Sequence, residues 1–361
     1  MKEASRFQIG WNGMCDDLLK KFIAQHDSIL PRPSLNLSAR FTASTILIVM
    51  SEGVDWKKQN ARRGLAVYFT VLFLGSGYFE WRILQTGESI GKTPWLIFGL
   101  MYMPAVASIV ARLTFREGFD DVSFRFGGRK GIRAMSLAWA YPVAVGFLAY
   151  GTAWATGLAK FQPPLRPESH LYTSWAAANF LTSLLLTATL GAVVSCLSAF
   201  GEEVGWRGYM LTRLIVAGVP KPVLVSGLIW ALWHVPLILS GPYAAGLHPR
   251  LSAMLFVVGT VADAYLAAYV RLQSGSVWPA VMYHGASNAI IQGSFDRATV
   301  ATSAAVGESG WLAATIAVIV VLLLTRGPWT LQQRPGQPLS LPSGRSPSTL
   351  TGLSLGSDCG D

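Results

Sequence analysis

The sequence predicts an all-α fold, a polytopic membrane helix bundle with about eight transmembrane helices. Only 13% of the 361 residues are charged, against about 25% in a typical soluble domain, and 52% are hydrophobic. The mean hydropathy is +0.41. Four stretches contain no Asp, Glu, Lys or Arg, namely 134–159, 169–201, 222–249 and 272–295. Each is long enough for a helix that crosses a bilayer, which needs about 20 apolar residues.

The predicted spans follow these apolar stretches and the ones between them. To within several residues they are 65–82, 94–112, 134–157, 179–204, 223–240, 251–270, 277–293 and 309–325. Lys and Arg residues on one side of the spans number seventeen, against six on the other. Because positive charge accumulates in cytoplasmic loops, this bias predicts that both termini are cytoplasmic.

The net charge of +10 lies in short segments between apolar spans, a pattern typical of loops that face anionic lipid. The expected partners are therefore membrane lipids and no nucleic acid. Three cysteines, Cys15, Cys196 and Cys359, lie far apart without a CxxC pair, so neither a disulfide framework nor a thiolate metal site is predicted.

Both ends of the chain differ from the apolar centre. We interpret 1–63 as an N-terminal extension, 64–327 as the membrane domain and 328–361 as a disordered tail rich in Pro, Ser, Gly and Leu. A basic stretch follows Met50 directly before the first span, which suggests the hypothesis that Met50 is the natural start.

Ionisable residues inside membrane spans are costly and are functional candidates by default. Such residues, with one amide, are Glu202, Glu203, Arg207, His234, Asp263, His284 and Asn288. Counting about 1.5 Å per helical residue places four of the spans' polar groups in the same, cytoplasmic leaflet. Glu203 and Arg207 are spaced i, i+4 and predict an ion pair, which leaves Glu202 without a partner from its own turn. For Asp263, pairing with a neighbouring helix and orienting a catalytic histidine both remain open.

Three motifs in these spans resemble those of the CAAX prenyl protease and bacteriocin-processing (CPBP, or Abi) family of intramembrane endopeptidases. Glu202 to Arg207 matches EExxxR, and His284 to Asn288 matches HxxxN. The family's FxxxH reads here from Trp230 to His234, so tryptophan replaces phenylalanine. The resemblance covers roughly 180–293, and the motifs stand in order on successive spans.

The resemblance implies a hydrolase that cleaves a peptide bond in a peptide or protein substrate, which is lipid-modified in some members. Carried over to this chain, Glu202 and His234 activate water, while His284 and Asn288 form the oxyanion site. Glu203 and Arg207 take structural or substrate-orienting roles. The expected location is a bacterial inner membrane.

Two alternatives remain at this point. In a metalloprotease version, Glu202, His234 and His284 would bind zinc or another divalent metal through two nitrogens and one oxygen; the favoured version needs no cofactor, because dedicated zinc motifs have shorter spacing. In a non-enzymatic version, the polar cluster serves an immunity or scaffold protein, or a transporter.

Overall fold

The computed structural model describes residues 43–88, 90–163, 173–244 and 246–325. The chain divides into two compact units, Met1–Gly53 and Val54–Asp361, and the second contains all the candidate residues. The predicted tail, 328–361, and the first 42 residues of the predicted N-terminal extension lie outside the described residues.

Helices make up most of the described chain. In order they are α1 (Ala43–Thr86), a short 3₁₀ turn (Ile90–Lys92), α2 (Pro94–Phe115), α3 (Gly128–Thr156), α4 (Ala176–Leu186), α5 (Ala192–Gly205), α6 (Leu211–Val216), α7 (Pro222–Ser240), α8 (Pro249–Ser274), α9 (Trp278–Ser287) and α10 (Trp311–Thr325). Two three-residue strands, β1 (Ala159–Phe161) and β2 (Thr299–Ala301), pair antiparallel between the helices.

All eight predicted spans coincide with helical segments. Among the described residues, five helical segments are long and apolar enough to cross a membrane: Pro94–Phe115, Gly128–Thr156, Ala176–Val216, Pro222–Ser240 and Pro249–Ser274. Large apolar side chains such as Leu190 and Val193 are more than half exposed on them, as expected for surfaces that face lipid. The protein is thus a largely helical integral membrane protein.

The helix that contains the fourth predicted span extends beyond residue 204. In the structure the helix runs without a break from Ala176 to Val216. It continues because Arg207 is completely buried and paired inside the protein, and so does not mark the edge of the apolar region.

Three π-helical turns interrupt the regular helices, at Thr187–Gly191, Trp206–Met210 and Asn288–Asp296. The second carries Arg207, and the third begins at Asn288. A π turn contains extra residues per turn and shifts the side chains that follow around the helix, and such turns are frequent at functional sites. Two of the three family motifs therefore include a residue of a π turn, where the helical register changes.

Close helix packing brings the motif-bearing helices together. A Cβ atom at Gly285 of α9 would lie 2.7 Å from the Sγ atom of Cys196 in α5, so only glycine permits this approach. On the other side of α5, Gly205 packs equally closely against Pro104 of α2. The close contact beside Gly285 allows the neighbouring His284 to reach the carboxylates of α5.

Candidate active site

Glu202 is held by two tryptophan side chains. Its Oε2 atom accepts hydrogen bonds from the indole Nε1 atoms of Trp206, at 3.0 Å, and Trp230, at 2.9 Å. All three side chains are buried. The other oxygen, Oε1, faces the Nε2 atom of His284 at 3.9 Å. At this distance the two atoms do not form a direct hydrogen bond.

The expectation that Glu202 lacks a partner from its own turn is therefore corrected. Trp206 lies four residues later on the same continuous helix and donates to it. Its i, i+4 spacing from Glu202 is visible in the sequence, but spacing alone does not show that the indole donates to the carboxylate. A buried indole N–H group usually needs a hydrogen-bond acceptor, and here one carboxylate oxygen accepts from two indoles.

Glu203 forms the predicted ion pair with Arg207, with 2.8 Å between Arg207 NH1 and Glu203 Oε1. The same oxygen lies 2.9 Å from the Nδ1 atom of His284. A carboxylate at Nδ1 fixes the orientation of the imidazole ring and stabilises its doubly protonated form, in which both nitrogens are donors. Glu203 thus orients His284, a contact that the motif spacing does not reveal.

Trp230 is the residue that connects the remaining parts of the site. Its ring lies under the guanidinium group of Arg207, with 4.1 Å from Cζ to the ring centroid. Its carbonyl oxygen lies 2.9 Å from the Nδ1 atom of His234. If Nδ1–H donates to this carbonyl, Nε2 of the neutral ring is left as an acceptor. The tryptophan that departs from the family's phenylalanine therefore contacts Glu202, Arg207 and His234 together.

Asn288 lies one helical turn beyond His284, as its spacing predicts, and starts the π turn Asn288–Asp296. Its Oδ1 atom is 3.5 Å from the Nε2 atom of Gln292. The ring of His284 lies against Trp230 at 5.4 Å between centroids, so His284 joins the same cluster from the opposite side.

Asp263 is bonded to the tyrosine that directly precedes His284. Its Oδ1 atom accepts a hydrogen bond of 2.6 Å from the hydroxyl of Tyr283, on the neighbouring helix α9. This contact favours the first of the two roles considered for Asp263, the pairing of adjacent helices. Because Tyr283 directly precedes His284, Asp263 also fixes the segment of α9 from which His284 projects.

The residues considered as metal ligands do not form a ligand set. Within the described ranges, no three His, Cys, Asp or Glu side chains are grouped so that they could hold a metal ion. The described residues therefore do not form a preformed three-ligand zinc site.

Comparison with known protein families agrees with the motifs. Residues 184–290 match the family model described as Type II CAAX prenyl endopeptidase Rce1-like. No curated protein matches the chain. The resemblance expected from the three motifs is confirmed, and the residues from Glu202 to Asn288 all lie inside the matched range. This part of the chain is thus similar to the type II CAAX prenyl endopeptidases.

Proposed function

We propose that this protein is an intramembrane endopeptidase that hydrolyses a peptide bond of a membrane-associated peptide through a water molecule activated by Glu202. One observation carries the proposal. The two indoles donate only to Oε2 of Glu202, while Oε1 faces Nε2 of His284 at 3.9 Å, too far for a direct hydrogen bond. The carboxylate is thus fixed in place and still has one oxygen available as a proton acceptor.

The proposed reaction begins with transfer of a proton from water to Oε1 of Glu202. His234, with Nε2 as an acceptor, orients the same water molecule. The oxygen of the water attacks the scissile carbonyl carbon, and the carbonyl oxygen becomes an oxyanion. The tetrahedral intermediate then collapses: the C–N bond breaks and the proton held by Glu202 goes to the leaving amine.

The oxyanion is stabilised by His284 and Asn288 in this proposal. The contact between Nδ1 of His284 and Glu203 favours a ring in which Nε2 also carries a proton and can donate it. The amide of Asn288 supplies the second donor from one helical turn away. Fixed donors of this kind contribute about 10²- to 10³-fold each to turnover.

The proposal extends to topology and substrate. We place both termini in the cytoplasm and count eight spans, so that hydrolysis takes place in the cytoplasmic leaflet of what we propose is a bacterial inner membrane. The substrate is a peptide at the membrane, of CAAX-like or bacteriocin type, with or without a lipid group. The reaction proceeds without a cofactor.

The decisive experiment compares purified wild-type protein with Glu202→Gln on matched prenylated and unprenylated peptides, with products identified by mass spectrometry. The amide oxygen of glutamine can still accept both indole hydrogen bonds, but the base is lost. Turnover should fall about 10²- to 10⁴-fold while the melting temperature stays unchanged. Glu117→Gln is the control, because it removes a carboxylate that pairs with Arg213 away from the site.

Full activity of Glu202→Gln would contradict the proposed mechanism. Activity that a chelator abolishes and zinc restores would replace it with the metal version. A folded wild-type protein that cleaves neither peptide of the pair, nor a panel of unrelated membrane peptides, would favour the immunity or transport alternative.

A further inference from the structure

We propose that Gln292 and Glu308, two residues outside the family match, are positioning residues that orient the amide of Asn288 toward the oxyanion. The inference rests on the proposed function of Asn288 in the oxyanion site. Gln292 follows Asn288 by one turn of the π segment, and Glu308 belongs to the loop between β2 and α10.

The orientation of Asn288 is set by the group that its oxygen accepts. An asparagine amide stabilises an oxyanion only through its NH₂ group, so its oxygen must point elsewhere. Nε2 of Gln292 donates to Oδ1 of Asn288 at 3.5 Å. With Oδ1 on the side of Gln292, the NH₂ group of Asn288 faces the opposite way. Such bonds are often long in the absence of substrate and shorten when it binds.

Gln292 is itself fixed by Glu308. The second hydrogen of its Nε2 group is donated to Oε1 of Glu308. Oε1 of Glu308 acts as an acceptor, so it holds Gln292 with its NH₂ group toward both neighbours. Without this partner, the amide of Gln292 could rotate and present its oxygen to Asn288, which would reverse the orientation of Asn288.

Glu308 also reaches the opposite half of the site. Its carboxylate is hydrogen-bonded to the side chain of Tyr243, and the Tyr243 ring lies against His234 with 5.7 Å between centroids. The loop itself is tied down, since the hydroxyl of Ser309 donates to the carbonyl of Ala244 at 2.8 Å. One carboxylate therefore touches partners of both Asn288 and His234.

The surroundings of these residues argue against a purely structural role. Tyr243, Gln292 and Glu308 line a cavity of about 340 Å³, so their polar groups border open space and do not fill a tightly packed core. Core packing alone would be served by apolar side chains at these places. The residues at these places are instead polar, and hydrogen bonds link Tyr243 to Glu308, Glu308 to Gln292 and Gln292 to Asn288.

The test is Gln292→Met, which keeps the length of the side chain and removes both donors. Because misplacement of a reacting group by about 1 Å can cost 10²-fold, kcat should fall about 10- to 100-fold while KM stays unchanged. Glu308→Ala should lower kcat similarly, and Glu308→Gln, which keeps one acceptor oxygen for Gln292, should restore part of it. Asp296→Asn is the matched control: this carboxylate lines the same cavity but bonds to Tyr150.

A double-mutant cycle separates positioning from general structure. If Gln292 acts through Asn288, Gln292→Met should have no further effect on kcat in the Asn288→Ala background. Full additivity of the two changes would overturn the inference, as would wild-type kcat for both Gln292→Met and Glu308→Ala. If either single variant fails to fold, the cycle is run with Glu308→Gln. Wild-type activity of Asn288→Ala would instead overturn the proposed oxyanion site.

Discussion

The indole of Trp230 donates a hydrogen bond of 2.9 Å to Oε2 of Glu202, although the two residues lie 28 positions apart on different helices. The same position in the family motif is phenylalanine, which has no donor. A hydrogen bond to a charged group contributes about 1.5–3 kcal/mol. Compared with a phenylalanine at this position, Trp230 therefore supplies one more hydrogen bond to the carboxylate that we propose as the base.

Replacing Trp230 with phenylalanine should reduce turnover and leave the fold intact. The change restores the family's residue and an aromatic face toward Arg207, but removes the N–H donor that fixes Glu202. If most of the lost energy acts on the transition state, kcat falls about 10- to 100-fold, since about 1.4 kcal/mol corresponds to a factor of ten. Steady-state kinetics on a cleaved peptide and a melting curve give the two readouts.

The neighbouring Trp233 provides the control for this substitution. Its indole donates to the hydroxyl of Ser76 at 2.8 Å, away from Glu202, and it is equally buried. Trp233→Phe therefore loses a comparable hydrogen bond on the same helix and should keep its kcat. Equal effects of the two changes on kcat would mean that the bond to Glu202 has no special role.

Removing Arg207 should affect stability as well as activity. Arg207 and Glu203 are both completely buried, and Arg207→Ala would leave the carboxylate without its cation. An uncompensated buried charge costs roughly 3–5 kcal/mol. The melting temperature should drop clearly, and turnover should drop with it, because Glu203 also holds His284.

Arg207→Lys distinguishes charge from geometry at this position. Lysine keeps the positive charge but lacks the planar guanidinium that stacks on Trp230. It should recover part of the lost stability, as followed by thermal unfolding in detergent. A melting temperature of Arg207→Ala equal to that of the wild type would show that the pair does not stabilise the fold.

Sequence spacing could predict contacts along one helix but not those between helices. The pair Glu203–Arg207 and the turn from His284 to Asn288 follow from helical periodicity, which is local. The bond from His284 to Glu203 joins residues 81 positions apart and depends on the close approach at Gly285. No single-sequence pattern contains that approach.

The length of the helix that contains the fourth predicted span is also not visible in the sequence. Charge normally marks the edge of an apolar span, and Arg207 lies just past residue 204. The helix continues to Val216 because Glu203 neutralises Arg207 inside the protein. The π turns also escaped prediction, since they arise where packed helices force a local change of register.

Asp121 anchors the loop between α2 and α3 to the rest of the bundle. Its carboxylate contacts Arg112 at 2.5 Å and Arg213 at 2.7 Å, while Arg271 bonds to its carbonyl oxygen. Burial raises the pKa of Asp121, but the hydrogen bond from Arg112 and the charge of Arg213 outweigh it, so the pKa lies below its ordinary value of 3.8. The nearby Glu117 shares Arg213 and is the other acid facing this group.

The lowered pKa of Asp121 predicts how stability depends on pH. A carboxylate with a depressed pKa in the folded state stabilises the fold fully above its unfolded pKa, and the contribution is lost as the pH falls through the folded value. At neutral pH, Asp121→Asn should therefore lower the free energy of unfolding by roughly 3 kcal/mol, because Arg112 is completely buried and loses its carboxylate. Its melting temperature should be lower than that of the wild type. The difference should stay constant down to about pH 5 and narrow only below about pH 4.

Thermal unfolding of both proteins across this pH range measures the effect directly. Glu88→Gln serves as the control, because the ion pair of Glu88 with Lys92 is exposed at the surface and contributes little. Its melting temperature should follow that of the wild type throughout. The prediction fails if the difference in melting temperature between Asp121→Asn and the wild type is already lost near pH 6. Asp121 would then take up its proton at a pH far above the lowered pKa that two arginine contacts produce. The ion pairs would not hold the loop.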